Sequence, residues 1–339
     1  MKHDNNFDGL RQAAAFAVLV SHQFALSGRP EPMVGGTHTL GHLGVAVFFS
    51  MSGLLVAASW QRDPRPRPFA LRRLLRIGPA FVVCLMVVGA AAALAMPEHA
   101  PAAWTFVRTN LLLGRHDGGF FPGQPHSELN GSLWTIRLEL ACYAALAVTA
   151  LVARRHLATV LGVSVAVYVA WALARAGSDA HRLNHSLWYG VLFCAGAWLR
   201  LAAVSRRGRL ALAAGGIALL AADRPTPGLV LLVPAAVAVA GPASWPVLRR
   251  CGRFGDISYG LYLWAWPVQQ SVIRFLGTDA PIILSIALST GVTLAIAWAS
   301  WHGIERRALG WRRGPEGARG STVSPEPGRR PPAPHPERS

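Results

Sequence analysis

Four ionisable residues lie inside long apolar stretches of the sequence, and they are the side chains best placed to do chemistry. They are Arg11, His22, Arg137 and Glu139. Placing an ionisable group within a membrane costs roughly 2.5–3.5 kcal/mol on insertion scales, so such groups usually face a cavity or a partner. These residues are therefore the first candidates for a functional site.

Arg11 and His22 stand eleven residues apart in the first apolar stretch. Eleven residues turn a helix by three turns and about 20° and rise about 16 Å, so both side chains project from one face. This spacing predicts a polar channel along the face, with Arg11 at one mouth and His22 deep in the other half. An arginine that reaches the membrane surface and a hydrogen-bonded structural histidine are the alternatives.

Glu139 lies near the start of the fourth apolar stretch, and Tyr143 follows it one helical turn later on the same face. Arg137 is two residues away and is therefore predicted to point elsewhere. The carboxylate of Glu139 is a second candidate for chemistry. An ion pair or a capping contact that holds two helices together is the alternative.

Arg73 and Arg76 precede the third apolar stretch with the spacing i, i+3. On a helix, two guanidinium groups so spaced can converge on one phosphate group with forked donors. The alternative is ordinary anchoring of a basic helix end to anionic lipid.

The composition indicates a membrane protein. The chain has 339 residues, of which 52% are hydrophobic and 14% charged, whereas globular proteins average about 25% charged. About 20 apolar residues cross the hydrocarbon layer as a helix, and we count ten such stretches. We therefore predict an all-α, polytopic bundle of about ten transmembrane helices. The stretches are 10–27, 40–60, 78–97, 132–152, 157–174, 186–204, 210–222, 227–243, 258–276 and 281–303.

The distribution of Lys and Arg between the apolar stretches predicts the membrane topology. The chain carries 33 Lys and Arg against 16 Asp and Glu, for a net charge of +17. If the segments between spans alternate from the inside, 25 of the 33 basic residues fall on the inner side and 7 on the outer side. Cytoplasmic segments collect Lys and Arg in this way. Both termini are therefore predicted to be cytoplasmic, and the charge reflects topology rather than nucleic-acid binding. Residues 1–310 would form the membrane domain, and 311–339 a disordered, basic, Pro-rich cytoplasmic tail.

Five segments in order along the chain resemble the motifs of the membrane acyltransferase-3 family, the polytopic O-acyltransferases that modify bacterial saccharides. Two departures occur: many members carry His where this chain has Ala265, and the usual Glu-x-Pro ending is Glu305-Arg306-Arg307 here. The resembling segments are Arg11 with His22, residues 41–53, Arg73-Leu-Leu-Arg76, residues 130–143 and residues 257–267.

The resemblance implies transfer of an acyl group, usually acetyl, from cytoplasmic acyl-CoA to a hydroxyl of a cell-surface or lipid-linked saccharide, in a bacterial cytoplasmic membrane. A sugar hydroxyl is a poor nucleophile, so His22 is expected to act as general base. Glu139 would orient His22 or the acceptor. Arg73 and Arg76 would hold the CoA phosphates, and Arg11 would line the route of the pantetheine arm. We expect no bound cofactor and no metal.

A proton-coupled secondary transporter is the alternative function, with Arg11, His22 and Glu139 as its relay. Transporters commonly show two related halves with interrupted helices at matching positions, and the sequence shows no such symmetry. The segment 97–131 carries aromatic residues that would either stack on a sugar or pack over the mouth of the bundle. They are Trp104, Phe106, Phe120 and Phe121.

Overall fold

The fold is a helical bundle with one small hairpin. A computed structural model describes residues 6–34, 36–114, 119–175, 185–243, 245–251 and 255–311. Strands β1 (Met33–Val34) and β2 (His38–Thr39) pair antiparallel before the second helix. The helices are α1 (Phe7–Leu26), α2 (Leu40–Arg62), α3 (Pro66–Ala95), α4 (Ala100–Leu111), α5 (Trp134–Val152), α6 (Leu157–Ala174), α7 (His185–Leu201), α8 (Arg206–Ala221), α9 (Pro225–Ala240), α10 (Pro246–Cys251), α11 (Ser258–Leu276), α12 (Ile282–Ser300) and α13 (Arg306–Gly310).

The all-α membrane fold is confirmed, and each predicted apolar stretch coincides with a helix. Among the described residues, five helical segments are long and apolar enough to cross a membrane. The count of ten spans and the side of each terminus stay predictions. Most of the predicted tail, 312–339, lies outside the described residues. The five segments are Leu40–Arg62, Pro66–Ala95, Gly131–Val152, Leu157–Ala174 and Ile282–Gly310.

Glycines let several helices pack backbone against backbone. A Cβ on Gly53 of α2 would overlap the backbone of Phe193 in α7, and a Cβ on Gly196 of α7 would overlap that of Ser50. Small residues at such crossings are the usual device for close helix packing in membranes. Helix α8 is continuous although Gly215 and Gly216 interrupt its apolar stretch. Close packing explains this as well, because Gly216 lies directly against α9.

The described parts of the segment between α3 and α5 pack against the core of the bundle. Part of it forms α4, which the apolar stretches did not predict. Phe106, Phe120 and Phe121 are buried, whereas Trp104 is 60% exposed. For three of the four aromatic residues, packing over the mouth is therefore the correct alternative.

Candidate active site

Four of the five predicted site residues line one cavity. This cavity, here called the arginine cavity, has a volume of about 130 Å³ and lies among α1, α2, α3, α5 and α11. The fold thus brings together residues that lie far apart in the sequence, whereas their roles stay predictions. The four residues are Arg11, Arg73, Arg76 and Glu139.

Asp256 joins two of these arginines. Arg11 Nη1 donates to its Oδ2 at 2.9 Å, and Arg76 Nη2 donates to the same oxygen. Ser258 Oγ donates to Oδ1 at 2.5 Å. Burial alone would raise the pKa of Asp256, but Arg76 and Arg11 outweigh it and hold that pKa well below its usual value. This carboxylate connects α1 and α3 to the start of α11.

The sequence reasoning missed Asp256. The available signal was its position directly before the motif at 257–267, as a lone acidic residue after the basic residues Arg249, Arg250 and Arg253. Gly255, its neighbour, adopts φ +86°, and a Cβ there would overlap the indole of Trp301. Glycine therefore permits the turn that aims Asp256 at the arginines.

Arg73 and Arg76 have different surroundings although both line the cavity. Arg76 pairs with Asp256, whereas the guanidinium carbon of Arg73 lies 5.7 Å from the ring centroids of both Phe69 and Tyr143. Aromatic faces attract guanidinium groups at such distances. A phosphate that took both arginines would therefore compete with Asp256 for Arg76.

Glu139 contacts two hydroxyl groups on the cavity wall. Ser52 Oγ donates to Glu139 Oε1 at 3.0 Å, Tyr143 donates to the same oxygen, and the two hydroxyls lie 3.1 Å apart. Within the described part of the chain, Glu139 makes no hydrogen bond to His22. The expected orientation of His22 by Glu139 is therefore not made by direct contact. Ser52, which lies in the motif 41–53, was also missed.

His22 lies apart from the arginine cavity, against Trp266 of α11. The two ring centroids are 4.9 Å apart with an edge-to-face geometry, and Trp266 contacts His126 in the same manner at 5.8 Å. His22 Nδ1 is buried without a hydrogen-bond partner among the described residues. Gly131 makes this packing possible, because a Cβ there would overlap the indole ring of Trp266.

The predicted open channel between Arg11 and His22 is wrong for this structure. Ala15 and Leu19, which follow Arg11 at successive turns of α1, are 1% and 0% exposed and pack into an apolar cluster with α11. Beside this cluster, Tyr262 pairs its hydroxyl with Thr135 Oγ1 at 2.7 Å. Arg11 and His22 do lie on one helix, but packed side chains fill the helix face between them.

Trp266, which contacts His22, lines a second cavity. This tryptophan cavity has a volume of about 770 Å³. Arg137 lines it and donates to the carbonyl oxygen of Gly114, so the prediction that Arg137 points away from Glu139 is confirmed. The cavity combines flat aromatic rings with hydrogen-bonding groups. Its lining includes Asn110, His126, Glu128, Trp134, Arg137 and Trp266.

Both departures from the family motifs, Ala265 and Glu305, lie in the packed interior of the protein. Ala265 is buried in the apolar cluster around Leu19. Glu305 is 2% exposed and accepts a hydrogen bond from Ser300 Oγ at 2.9 Å. Neither residue lines the two cavities.

A model of the acyltransferase domain, the acyltransferase-3 type, matches residues 4–302. The chain belongs to this family. The match covers both cavities and every predicted site residue, and it establishes the protein as a membrane acyltransferase rather than a transporter.

Curated relatives agree with the assignment to acyltransferase-3. The O-acetyl transferase of Shigella phage Sf6 is 31% identical over 333 residues, which covers 91% of this chain and 97% of the relative. The exopolysaccharide production protein ExoZ of Rhizobium meliloti (strain 1021) is 30% identical over 310 residues, 83% and 92% of the two chains. Nodulation protein 10 of Rhizobium leguminosarum bv. viciae is 28% identical over 357 residues, 91% and 94%. No solved structure matches the chain significantly.

Proposed function

We propose that this acyltransferase moves an acetyl group from cytoplasmic acetyl-CoA to a hydroxyl of a cell-surface or lipid-linked saccharide at the outer face of a bacterial cytoplasmic membrane. One observation carries the proposal. Motif residues from five helices converge on the arginine cavity, whereas His22 lies about 16 Å further along α1, against a tryptophan that lines a cavity of aromatic and polar groups. The donor and the acceptor would thus approach from opposite ends of the bundle.

The arginine cavity suits the donor. Three guanidinium groups line this cavity: Arg11 pairs with Asp8 and Asp256, Arg76 pairs with Asp256, and Arg73 lies against aromatic rings. Charge-assisted, forked hydrogen bonds make guanidinium groups strong ligands of phosphate. Arg73 and Arg76 would hold phosphates of CoA, and Arg11 would lie along the pantetheine arm.

The tryptophan cavity suits a saccharide, because indole rings stack on the apolar faces of sugars while amide, carboxylate and imidazole groups bind hydroxyls. Trp134 and Trp266 supply the rings, and Asn110 and His126 supply hydrogen-bonding groups. His22 lies against Trp266 and would remove the proton of the attacking hydroxyl.

The reaction then balances without a further reagent. The acceptor oxygen attacks the thioester carbonyl as His22 takes its proton, the carbon–sulfur bond breaks, and the thiolate of CoA receives the proton from His22. The products are the saccharide ester and free CoA. Glu139 would act from the donor side, where it fixes the hydroxyls of Ser52 and Tyr143 along the path of the thioester.

Transfer requires the barrier between the cavities to open. Tyr262 and Thr135, whose hydroxyls lie 2.7 Å apart, line the arginine cavity with Phe48, whose ring is 5.7 Å from that of Tyr262. Tyr262 also donates to the carbonyl oxygen of Ser132, whose chain neighbours Gly131 and Leu133 line the tryptophan cavity, so we take these residues as the barrier. We infer that the acetyl-bearing arm displaces Tyr262 and Thr135. Such opening also keeps the thioester from water until an acceptor is present.

Purified protein in lipid nanodiscs, given [14C]acetyl-CoA and saccharides extracted from bacterial membranes, tests the proposal. We expect label in the saccharide fraction for the unaltered protein and for His156→Ala, a change at an exposed histidine, and at least a hundredfold slower labelling for His22→Ala. No labelled saccharide from the unaltered protein would overturn the proposed function. Label transferred equally by His22→Ala would overturn the role of the base.

Sealed vesicles of known orientation test the sidedness. Acetyl-CoA supplied only on the side of residue 208 should support transfer, and acetyl-CoA supplied only on the side of the 97–131 segment should not. The reverse result would contradict the predicted topology.

A further inference from the structure

A third cavity is apolar and opens between α5, α6 and α7. This α5–α7 groove has a volume of about 600 Å³. Along α6 it extends from Val160 to Trp171, eleven residues or about 16 Å of helix. Its walls are almost entirely hydrocarbon, with Ala145, Val167 and Leu187 among them.

Small residues create the groove. Ala145 of α5 and Gly190 of α7 face it, and a Cβ placed on Gly190 would meet no atom within 4 Å.

The groove continues into the tryptophan cavity. Ala141 lines both, and on α7 the cavity residues His185 and Ser186 lead directly into Leu187 of the groove. Arg137 stands one helical turn before Ala141 on α5 and lines the cavity at this junction. Along α5 the surface therefore passes from hydrocarbon to a cation and then to aromatic and polar groups.

We propose that the α5–α7 groove binds the hydrocarbon chain of a lipid-linked saccharide, with the phosphate of the carrier lipid at Arg137 and the saccharide in the tryptophan cavity. This inference rests on the proposed function and selects the lipid-linked acceptor over a free surface polysaccharide. The order of apolar groove, guanidinium group and aromatic cavity matches the order of tail, phosphate and sugar in such a molecule. A bilayer phospholipid would fill the groove but leave the aromatic cavity empty.

A second apolar groove provides contrast. It lies between α3, α11 and α12, has a volume of about 760 Å³, and shares no lining residue with the tryptophan cavity. Any alkyl chain can enter such a groove from the bilayer. The second groove also has a guanidinium group in its lining, Arg274, but it does not lead into the tryptophan cavity. Selective binding of a saccharide-bearing carrier lipid is therefore expected only in the groove that leads through Arg137 into that cavity.

Photo-crosslinking tests binding without depending on activity. The probe is a polyprenyl phosphate with a diazirine in its chain, added to the full-length protein in nanodiscs. We expect crosslinks to α5, α6 and α7, competition by unlabelled polyprenyl phosphate, and at least tenfold weaker competition by phosphatidylglycerol. Equal competition by the two lipids, or crosslinks spread over both grooves, would overturn the proposal.

Filling the groove tests its part in turnover. Gly190→Phe should raise the KM for a polyprenyl-diphosphate-linked oligosaccharide at least tenfold and leave the KM for the same oligosaccharide, freed by mild acid, unchanged. Gly291→Phe is the matched control, because Gly291 also has no atom within 4 Å of a Cβ but lies on an exposed face of α12. It should change neither value.

The outcomes separate the two proposals. If neither acceptor receives acetyl from the unaltered protein, the proposed function fails. If both are acetylated with equal KM values, or if Gly190→Phe slows both equally, the function stands and the groove proposal is overturned.

Discussion

The arginine cavity and the tryptophan cavity differ in the groups that line them. In the arginine cavity, charged groups are matched to one another: Asp256 holds Arg11 and Arg76, and Glu139 holds two hydroxyls. In the tryptophan cavity, the lining is aromatic and hydrogen-bonding, and His22 leaves a ring nitrogen without a partner behind Trp266. The comparison indicates that the arginine cavity is held in shape by its own ion pairs. The tryptophan cavity instead offers hydrogen-bonding groups to a bound molecule.

Removal of the imidazole should give the largest effect. His22→Ala is expected to lower kcat by about 10²–10⁴-fold, the usual contribution of a positioned general base. The binding of acetyl-CoA should not change, since His22 is absent from the arginine cavity. Calorimetric titration with a non-hydrolysable CoA analogue and single-turnover kinetics measure the two quantities. Loss of acetyl-CoA binding in this variant would contradict the separation of the donor cavity from His22.

Removal of the shared carboxylate should act on the other cavity. Asp256→Asn leaves Arg76 without the carboxylate it pairs with, while Asp8 still pairs with Arg11. Breaking a fully buried pair costs about 3–5 kcal/mol of unfolding free energy, and we expect a smaller loss here because about a quarter of each arginine side chain is exposed. Unfolding in SDS mixed micelles measures the loss. Asp223→Asn, at an exposed position, is the control and should change the stability little.

The pH dependence sharpens this prediction. Because the folded-state pKa of Asp256 lies well below its usual value, its contribution to stability is present above about pH 4 and lost only as the pH falls through the lower, folded-state value. Between pH 5 and pH 8 the unaltered protein should therefore show no change in stability from this group. Titration of Asp256 near neutral pH, detected by infrared spectroscopy, would contradict the arrangement.

Arg73 should have a smaller effect, confined to the donor. Arg73→Ala removes a guanidinium group from the cavity without breaking the bond between Arg76 and Asp256, so we expect the KM for acetyl-CoA to rise roughly tenfold, or about 1.4 kcal/mol, with kcat nearly unchanged. Arg67→Ala removes an exposed charge from the same helix and is the control. Equal effects of the two changes would indicate that both arginines only anchor lipid headgroups.

The barrier between the cavities should give the smallest effect. Tyr262→Phe removes the hydrogen bond to Thr135, which is expected to cost about 1 kcal/mol of stability. The same change should raise the slow hydrolysis of acetyl-CoA in the absence of an acceptor. Tyr168→Phe serves as control, because its hydroxyl has no partner to lose among the described residues. A tighter barrier, seen as slower hydrolysis in Tyr262→Phe, would refute the assigned role.

The sequence allowed a large part of this arrangement to be predicted. Apolar length located the helices, and helical periodicity separated Arg137 from Glu139 correctly. Periodicity could not show that Ala15 and Leu19 fill the face between Arg11 and His22, since that depends on how closely α11 approaches.

Long-range contacts were the other limit. Asp256 acquires its role from arginines 180 and 245 residues away along the chain. Ser52 acquires its role from Glu139, 87 residues away. No local pattern encodes such pairs, so one sequence without relatives predicts the individual residues better than their partners.

Helix α11 touches both cavities. Ser258, at its start, binds Asp256, and Trp266, two turns later, contacts His22. The segment between them is a rod of helix about 12 Å long. Within it the carbonyl oxygen of Leu263 loses its helical partner because of Pro267 and accepts from Asn130 Nδ2 at 3.0 Å. A small tilt of this rod, caused by a ligand at one end, must reposition the indole at the other. Donor and acceptor would then alter each other's affinities by the same factor, because thermodynamic linkage is reciprocal.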